Sequence, residues 1–310
     1  MISILKSTPS GLEPQTEPSS GCWINVVDPT TDEIESLSKL GIPQDFITYP
    51  LDVDERSRTE REDDGTVLIV LRVPYFQGMR ADIPYITIPL GIIINEDLIV
   101  TICRWKNDVL QKFLGGQVRA FSTAKHNQFV LKLLLHTASK YLSDLREINR
   151  ATDILEDQLQ LSMNNNQLME ILKYQKSMVY FTTALKSNEL MLERLQRSQL
   201  FRMYAEDEDL LEDVITENQQ AIEMTNIYNT ILSSMMDAFA SIISNNMNMV
   251  MKFLASVTIV LSLPTIATSF FGMNVPLPLE NNAVGYLIIL GATVIISLIV
   301  VAVFYKRDWF

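Results

Sequence analysis

Seven residues recur at alternating spacings of three and four in a stretch near the C-terminus: Asn248, Met251, Ala255, Thr258, Ser262, Thr265 and Ser269. On an α-helix that spacing makes one stripe of small or neutral polar side chains. Hydroxyl and amide oxygens in a row suit two tasks. They allow close helix–helix contact, or they line an aqueous passage through which an ion moves without being trapped. The stripe holds no Cys, His, Asp or Glu, which argues against stripping and tightly chelating a softer metal such as zinc.

Other chemistries find few residues to carry them. There is no Gly-x-x-x-x-Gly-Lys loop to cradle a nucleotide phosphate, so transport driven by ATP hydrolysis within the chain is not expected. No Gly-x-Ser-x-Gly nucleophile elbow occurs, and the two histidines, His126 and His136, read as ordinary helix residues. A membrane hydrolase therefore lacks a nucleophile and base in context. Cys22 and Cys103 have no CxxC spacing, which indicates neither a disulfide framework nor a zinc site, and a reducing cytosol is the expected compartment.

The stripe lies in a segment built to cross a bilayer. Residues 253–271 and 283–305 carry no charge; as helices they reach roughly 28 and 35 Å, against a hydrocarbon core of about 30 Å. The eleven residues from Gly272 to Asn282 join them without a Lys or Arg, while Lys252, Lys306 and Arg307 flank the opposite ends. By the positive-inside rule both termini and the front of the chain are cytoplasmic. Two spans cannot enclose a pore, so a pore lined by the stripe requires several copies of the chain around one axis.

The 310 residues are 47% apolar, which supports about two domains and a sizeable core. A formal charge of −12 disfavours a nucleic-acid partner and suits a protein that handles cations. The first twenty residues, with Pro9, Pro14 and Pro18, have no long apolar run and read as a strand-and-loop lead-in, not a cleavable signal peptide. Strands are predicted at 22–27, 66–73, 85–94 and 98–105, with a short capped helix from Thr31 to Gly41, giving an α/β domain over 1–120. Between Pro89 and Pro264 there is no proline, and between Gly116 and Gly272 no glycine. That absence predicts long helices: one over 129–161, one over 167–200 beyond the Asn164-Asn165-Asn166 cluster, and a third from the acidic run at Glu206, whose carboxylates complement a helix N-terminus. The third is expected to run into the first span, about 60 residues and roughly 90 Å, a rod able to carry a mechanical signal. The expected segments are thus 1–120 α/β, 121–246 helical stalk, 247–271 first membrane helix, 272–282 outer loop, 283–305 second membrane helix and 306–310 basic tail.

At the outer end of the stripe stands Phe271-Gly272-Met273-Asn274, followed by Pro276, Pro278 and Glu280. With two C-terminal spans behind an α/β domain and a breaker-free helix, the whole chain resembles the CorA family of divalent-cation channels, whose signature is Gly-Met-Asn closing the first of two membrane helices. The resemblance implies an α+β membrane protein: a homopentamer in the cell (inner) membrane, its stalk helices forming a funnel and its pore lined by five copies of the first membrane helix. It implies Mg²⁺ as both transported and regulatory ion, with no organic cofactor and no ATP. Mg²⁺ dehydrates reluctantly, so a ring of Asn274 carboxamides, with Gly272 allowing the close turn and Met273 and Glu280 beside it, would bind the hydrated ion at the mouth. By family position, Asn248 and Met251 line the inner pore and Leu254 adds an apolar constriction able to gate by dewetting. Lys252, Lys306 and Arg307 would form a basic ring at the inner membrane face.

The family also places regulatory Mg²⁺ between cytosolic domains. Asp213, sixty-one residues before Asn274, matches its sensor carboxylate; Asp237 matches a second acidic position, and Asp52 and Asp54 are candidates for the partner. One departure lies in the outer loop. The outer loop reads Val275-Pro276-Leu277-Pro278-Leu279-Glu280 where many members have Met-Pro-Glu-Leu. Met273 stands where the zinc-transporting branch typically has Ile, which favours Mg²⁺. The alternatives are a Co²⁺, Ni²⁺ or Zn²⁺ transporter of the same family, or a non-conducting membrane-anchored scaffold.

Overall fold

The computed structural model describes residues 1–95, 97–119, 121–161, 165–197, 204–275, 284–307 and 309. They form two compact units, Met1–Met235 and Met236–Phe310.

The first unit is built on a seven-stranded sheet in the order β2-β1-β3-β7-β6-β5-β4, made of β1 (Ile2–Thr8), β2 (Gly11–Pro14), β3 (Cys22–Val27), β4 (Arg58–Arg61), β5 (Val67–Phe76), β6 (Tyr85–Ile94) and β7 (Leu98–Cys103). Only β3 and β7 pair in parallel, with Cys22 opposite Leu98 and Val27 opposite Cys103. Because side chains alternate along a strand, the central strands bury both faces. Trp23, Ile69, Leu71, Ile92 and Ile99 point into one core, while Ile24, Val26, Leu68, Val70 and Val100 point into the other. The second core is closed by α1 (Thr31–Ser38) and α2 (Gln44–Thr48). Thr30 caps α1 through a capping box with Glu33, as a Thr followed three residues later by Glu predicts.

The first core is closed by α3 (Asp108–Leu114), α4 (His126–Leu161) and α5 (Asn165–Arg197), with Leu211 and Val214 added from α6 (Ala205–Phe271). Trp23 is wholly buried, and its indole N–H donates to Thr101 Oγ1 at 2.8 Å, whose hydroxyl donates to Asn25 Oδ1 at 3.0 Å. That chain of bonds satisfies three polar groups inside the parallel pair, where an unpaired one would cost about 1–3 kcal/mol. The helices are fastened to β5 at one residue: Tyr141 from α4 and Asn188 from α5 both donate to the Arg72 carbonyl, at 3.0 and 2.9 Å. Lys140 ties α3 to α4 by reaching Asp108 and Asp144, each at 2.8 Å; burial pushes the Asp144 carboxyl up to about 6 in spite of that contact.

Strands 22–27 and 85–94 fall where the sequence places them. The other two shift: β5 runs on to Phe76, and β7 stops at Cys103. The lead-in is a hairpin, β1 with β2. Gly91 permits a close approach that any side chain would block, since a Cβ there would collide with the Pro50 ring of the 3-10 turn Tyr49–Leu51.

The second unit holds the remainder of α6 and α7 (Gly285–Lys306). α6 continues through Pro264 to Phe271. An interior proline removes a helix hydrogen bond, but helices in apolar surroundings tolerate this where hydroxyl side chains help satisfy the local backbone. The carbonyl it frees is that of Val260; Thr268 donates instead to the Pro264 carbonyl at 3.0 Å, which reinforces the next turn.

Candidate functional site

The apolar 18-residue windows of α6 and α7 are 6% and 0% buried within the chain. Core helices of a soluble protein would be mostly buried, so these two need another apolar medium, and their lengths match a bilayer.

Within the second unit, α6 and α7 meet around a cavity of about 380 Å³ lined by Pro264, Ala267, Thr268 and Phe271 from α6 and by Tyr286, Ile289 and Thr293 from α7. Ser256 is fully buried, and Val260, Leu263 and Ala267 are half-buried. At 100° per residue these α6 positions, together with the cavity-lining Pro264, Thr268 and Phe271, share an arc of about 140°. The stripe from Asn248 to Ser269 occupies an arc of about 100° whose centre lies about 180° away. It is the face turned from α7. Along it Asn248, Met251, Ala255, Thr258, Thr265 and Ser269 are exposed and Ser262 is half-buried; Leu254, at the edge of the arc, is 56% exposed.

The stripe hydroxyls have a defined polarity. Thr258 donates to Leu254 O at 2.8 Å, Ser262 to Ile259 O at 2.8 Å and Thr265 to Leu261 O at 3.1 Å. With each hydrogen committed to the helix's own backbone, the remaining lone pairs are what each oxygen offers outward. Water bound to a cation presents its hydrogens outward. The face therefore matches an aquated cation in hydrogen-bond sense while carrying no charge to hold it.

The end of the stripe is set by Gly272, whose N–H donates to Thr268 O at 2.9 Å. A Cβ on Gly272 would sit 3.0 Å from that same carbonyl, tighter than ordinary contact. Met273 follows, 53% exposed, and Asn274 is exposed, its carboxamide without a hydrogen-bond partner among the described residues. Glu280, Pro276 and Pro278 lie outside the described residues. Lys252, Lys306 and Arg307 are all exposed.

The carboxylates expected to regulate stand apart in one chain. Asp213 is exposed on the wall of a cleft of about 560 Å³, beside Lys125, Lys132, Glu206 and Asp209. Asp237 is exposed farther along the same helix; Asp52 accepts a bond from the Asp54 N–H at 3.0 Å, and both are exposed. Among the described residues no three His, Cys, Asp or Glu side chains gather to hold a metal ion. The two lysines beside Asp213 went unremarked in the sequence, because α4 and α6 come together only in the fold. Both histidines are structural: His136 Nδ1 contacts Lys132 O at 2.9 Å and its ring packs edgewise on Phe113, while burial holds the His126 imidazole below its usual range.

Residues 18–307 match the family described as CorA-like Mg²⁺ transporter protein. The cobalt/magnesium transport protein CorA of Methanocaldococcus jannaschii is 32% identical over 297 residues, covering 93% of this chain and 90% of that protein. The complete structure of the CorA magnesium transporter from the same organism superposes with a TM-score of 0.86 at 29% identity, over 100% of this chain and 99% of that one. The structure of its soluble domain gives 0.68 at 28% identity, over 76% of this chain and 95% of that one.

Proposed function

The chain belongs to the CorA-like Mg²⁺ transporter family, and from that premise we propose that it is a passive influx channel for hydrated Mg²⁺, assembled as a homopentamer in the cell membrane with both termini cytoplasmic. One observation carries the reading: the α6 face turned from α7 offers back-bonded hydroxyl oxygens at Thr258, Ser262 and Thr265, and beyond its outer end stands the Asn274 carboxamide, without a partner among the described residues. Five such faces around an axis make a neutral oxygen-lined passage. A dication crossing it under about 100 mV gains on the order of 4.6 kcal/mol, so no fuel is required, in keeping with a chain that has no P-loop. Co²⁺, for which the M. jannaschii relative is also named, binds water in the same octahedral number and would share the route; Ni²⁺ and Zn²⁺ are the further competitors.

The test is uptake by the purified protein in liposomes carrying a Mg²⁺-sensitive dye. An inside-negative K⁺ diffusion potential of about 100 mV should drive Mg²⁺ in from equal concentrations, toward a gradient on the order of a thousandfold. Uptake that ignores the potential, or that needs ATP, would remove the channel reading. Zn²⁺ permeating in preference to Mg²⁺ would remove the ion assignment.

Regulation by internal Mg²⁺ belongs to the same reading. Asp213 and Asp237 of one copy, with Asp52 or Asp54 of the next, supply oxygens that one chain does not gather. Mg²⁺ between copies screens their acidic surfaces and holds the ring closed; its loss lets like charges repel. Millimolar Mg²⁺ inside the vesicle should suppress influx through the unaltered protein and lose most of that effect in Asp213→Ala combined with Asp237→Ala. Undiminished suppression in the double variant would rule these carboxylates out as the sensor.

A further inference from the structure

In a chain of net charge −12, one cleft of the cytosolic unit has the opposite sign. Arg56, Arg72, Lys186 and Arg194 line a space of about 720 Å³ in which Asp54 is the one carboxylate. Arg56, Lys186 and Arg194 are exposed, and among the described residues none of them forms an ion pair. Arg72 spends its guanidinium on neutral oxygens alone, those of Val53, Glu55 and Thr87, at 2.6 to 3.1 Å. Four cations facing one carboxylate repel one another, and the neighbouring acid Glu55 is taken up by Arg58.

The cleft is preformed. Arg72 holds the 53–55 backbone by two bonds of 2.8 Å, and Ser57 is pinned to α5 through its N–H to Ser187 Oγ at 3.0 Å and its hydroxyl to Asn188 Oδ1 at 2.6 Å. The loop that carries Arg56 is therefore fixed against the helix that carries Lys186 and Arg194. The facing wall of α5 is apolar and open, with Val179 and Leu190 60% and 61% exposed and the Tyr180 ring 41% exposed. The volume lies within the range of small-molecule sites, roughly 300–1,000 Å³.

We propose that this cleft binds a phosphorylated, nucleotide-sized anion, its phosphates among Arg56, Lys186 and Arg194 and its base against Val179 and Tyr180. Arginine forks match phosphate oxygens bidentately, and lysine adds a point charge. An open aromatic and aliphatic surface takes a planar base face-on. This binding is independent of whether the protein conducts Mg²⁺.

ATP, tripolyphosphate and adenosine are titrated by calorimetry into the full-length protein in detergent, with EDTA in constant excess so that chelation of Mg²⁺ does not vary. ATP should bind with Kd below about 1 mM, at least about tenfold more tightly than tripolyphosphate, and adenosine should not bind measurably. Arg56→Glu with Lys186→Glu should weaken ATP at least about tenfold without lowering the thermal midpoint, since neither side chain holds a partner among the described residues and the change relieves repulsion among the cations. No ATP binding, or equal binding by the double variant, would overturn the proposal. Equal affinity for ATP and tripolyphosphate would overturn the role given to the apolar wall and with it the nucleotide. Dissociation of the assembly by the double variant without any ATP binding would make the cleft a subunit contact, which also overturns it.

Discussion

Replacing Asn274 with alanine is expected to reduce Mg²⁺ influx at sub-saturating Mg²⁺ by at least about a hundredfold while leaving the fold intact. The two halves of that expectation have separate causes. The carboxamide is exposed and bonded to nothing among the described residues, so its removal takes no contact from the protein and should not move the unfolding temperature. A carboxamide oxygen accepting from water on a dication makes a charge-assisted bond, and such bonds contribute about 1.5–3 kcal/mol each. Loss of two of them per ion amounts to at least about 3 kcal/mol, or about a hundredfold in occupancy of the mouth. Asn274→Asp separates geometry from charge: it keeps an oxygen and, in the proposed pentamer, adds up to five negative charges, so it should hold Mg²⁺ more tightly and release it more slowly. Flux through Asn274→Ala equal to that of the unaltered protein would remove Asn274 from the entry step. Gly272→Ala should act differently, because its Cβ presses on the Thr268 carbonyl and displaces the turn that aims Asn274.

How much of this was legible before the fold depended on the range of the interactions involved. Both membrane helices and the stripe were readable because helix periodicity is local, and the stripe needs only one helix to exist. The fold adds which way that helix is turned: α7 packs on the side that carries Ser256 and Ala267, which leaves the hydroxyls free. Hydrophobic strands were likewise readable. β4 was not, since Arg58-Thr59-Glu60-Arg61 is polar throughout; it is an edge strand whose pairing with Val67–Val70 supplies what its side chains do not. α3 escaped notice although Asn107 caps it at the Leu110 N–H, because seven residues give too short a period to distinguish. Pro264 lies inside α6, Gly291 inside α7, and Pro74 and Pro89 inside β5 and β6, so a single breaker did not end these elements. The cationic cleft was out of reach altogether. Arg56 and Arg194 are 138 positions apart in the chain, and only the sheet brings α5 against the loop after the 3-10 turn.

The assignment of faces on α6 is exposed to a harsher test, chemical labelling of single cysteines. Thr258 lies on the stripe, and Leu298 lies on α7 with 62% of its surface open within the chain. If the stripe lines water, Thr258→Cys holds a thiol that ionises near the ordinary value of about 8.5 and attacks a charged methanethiosulfonate reagent. A cation tethered there occupies the path of Mg²⁺, so influx should fall by more than about tenfold and recover when a reductant cleaves the mixed disulfide. Leu298→Cys in hydrocarbon cannot form a thiolate at comparable cost, and the reagent cannot reach it, so influx should be unchanged. Background is low by construction of the fold: Cys22 and Cys103 are both fully buried, and burial raises the Cys103 thiol further. Block through Leu298→Cys with none through Thr258→Cys would place α7 on the axis and turn the hydroxyl stripe toward lipid. Silence at both positions in a protein that still conducts would mean that neither helix presents these residues to the ion. The pattern expected here follows from one geometric fact, the half-turn between the α7 contact and the row of back-bonded hydroxyls, because a helix committed to its neighbour on one side has only the other side left to offer the ion.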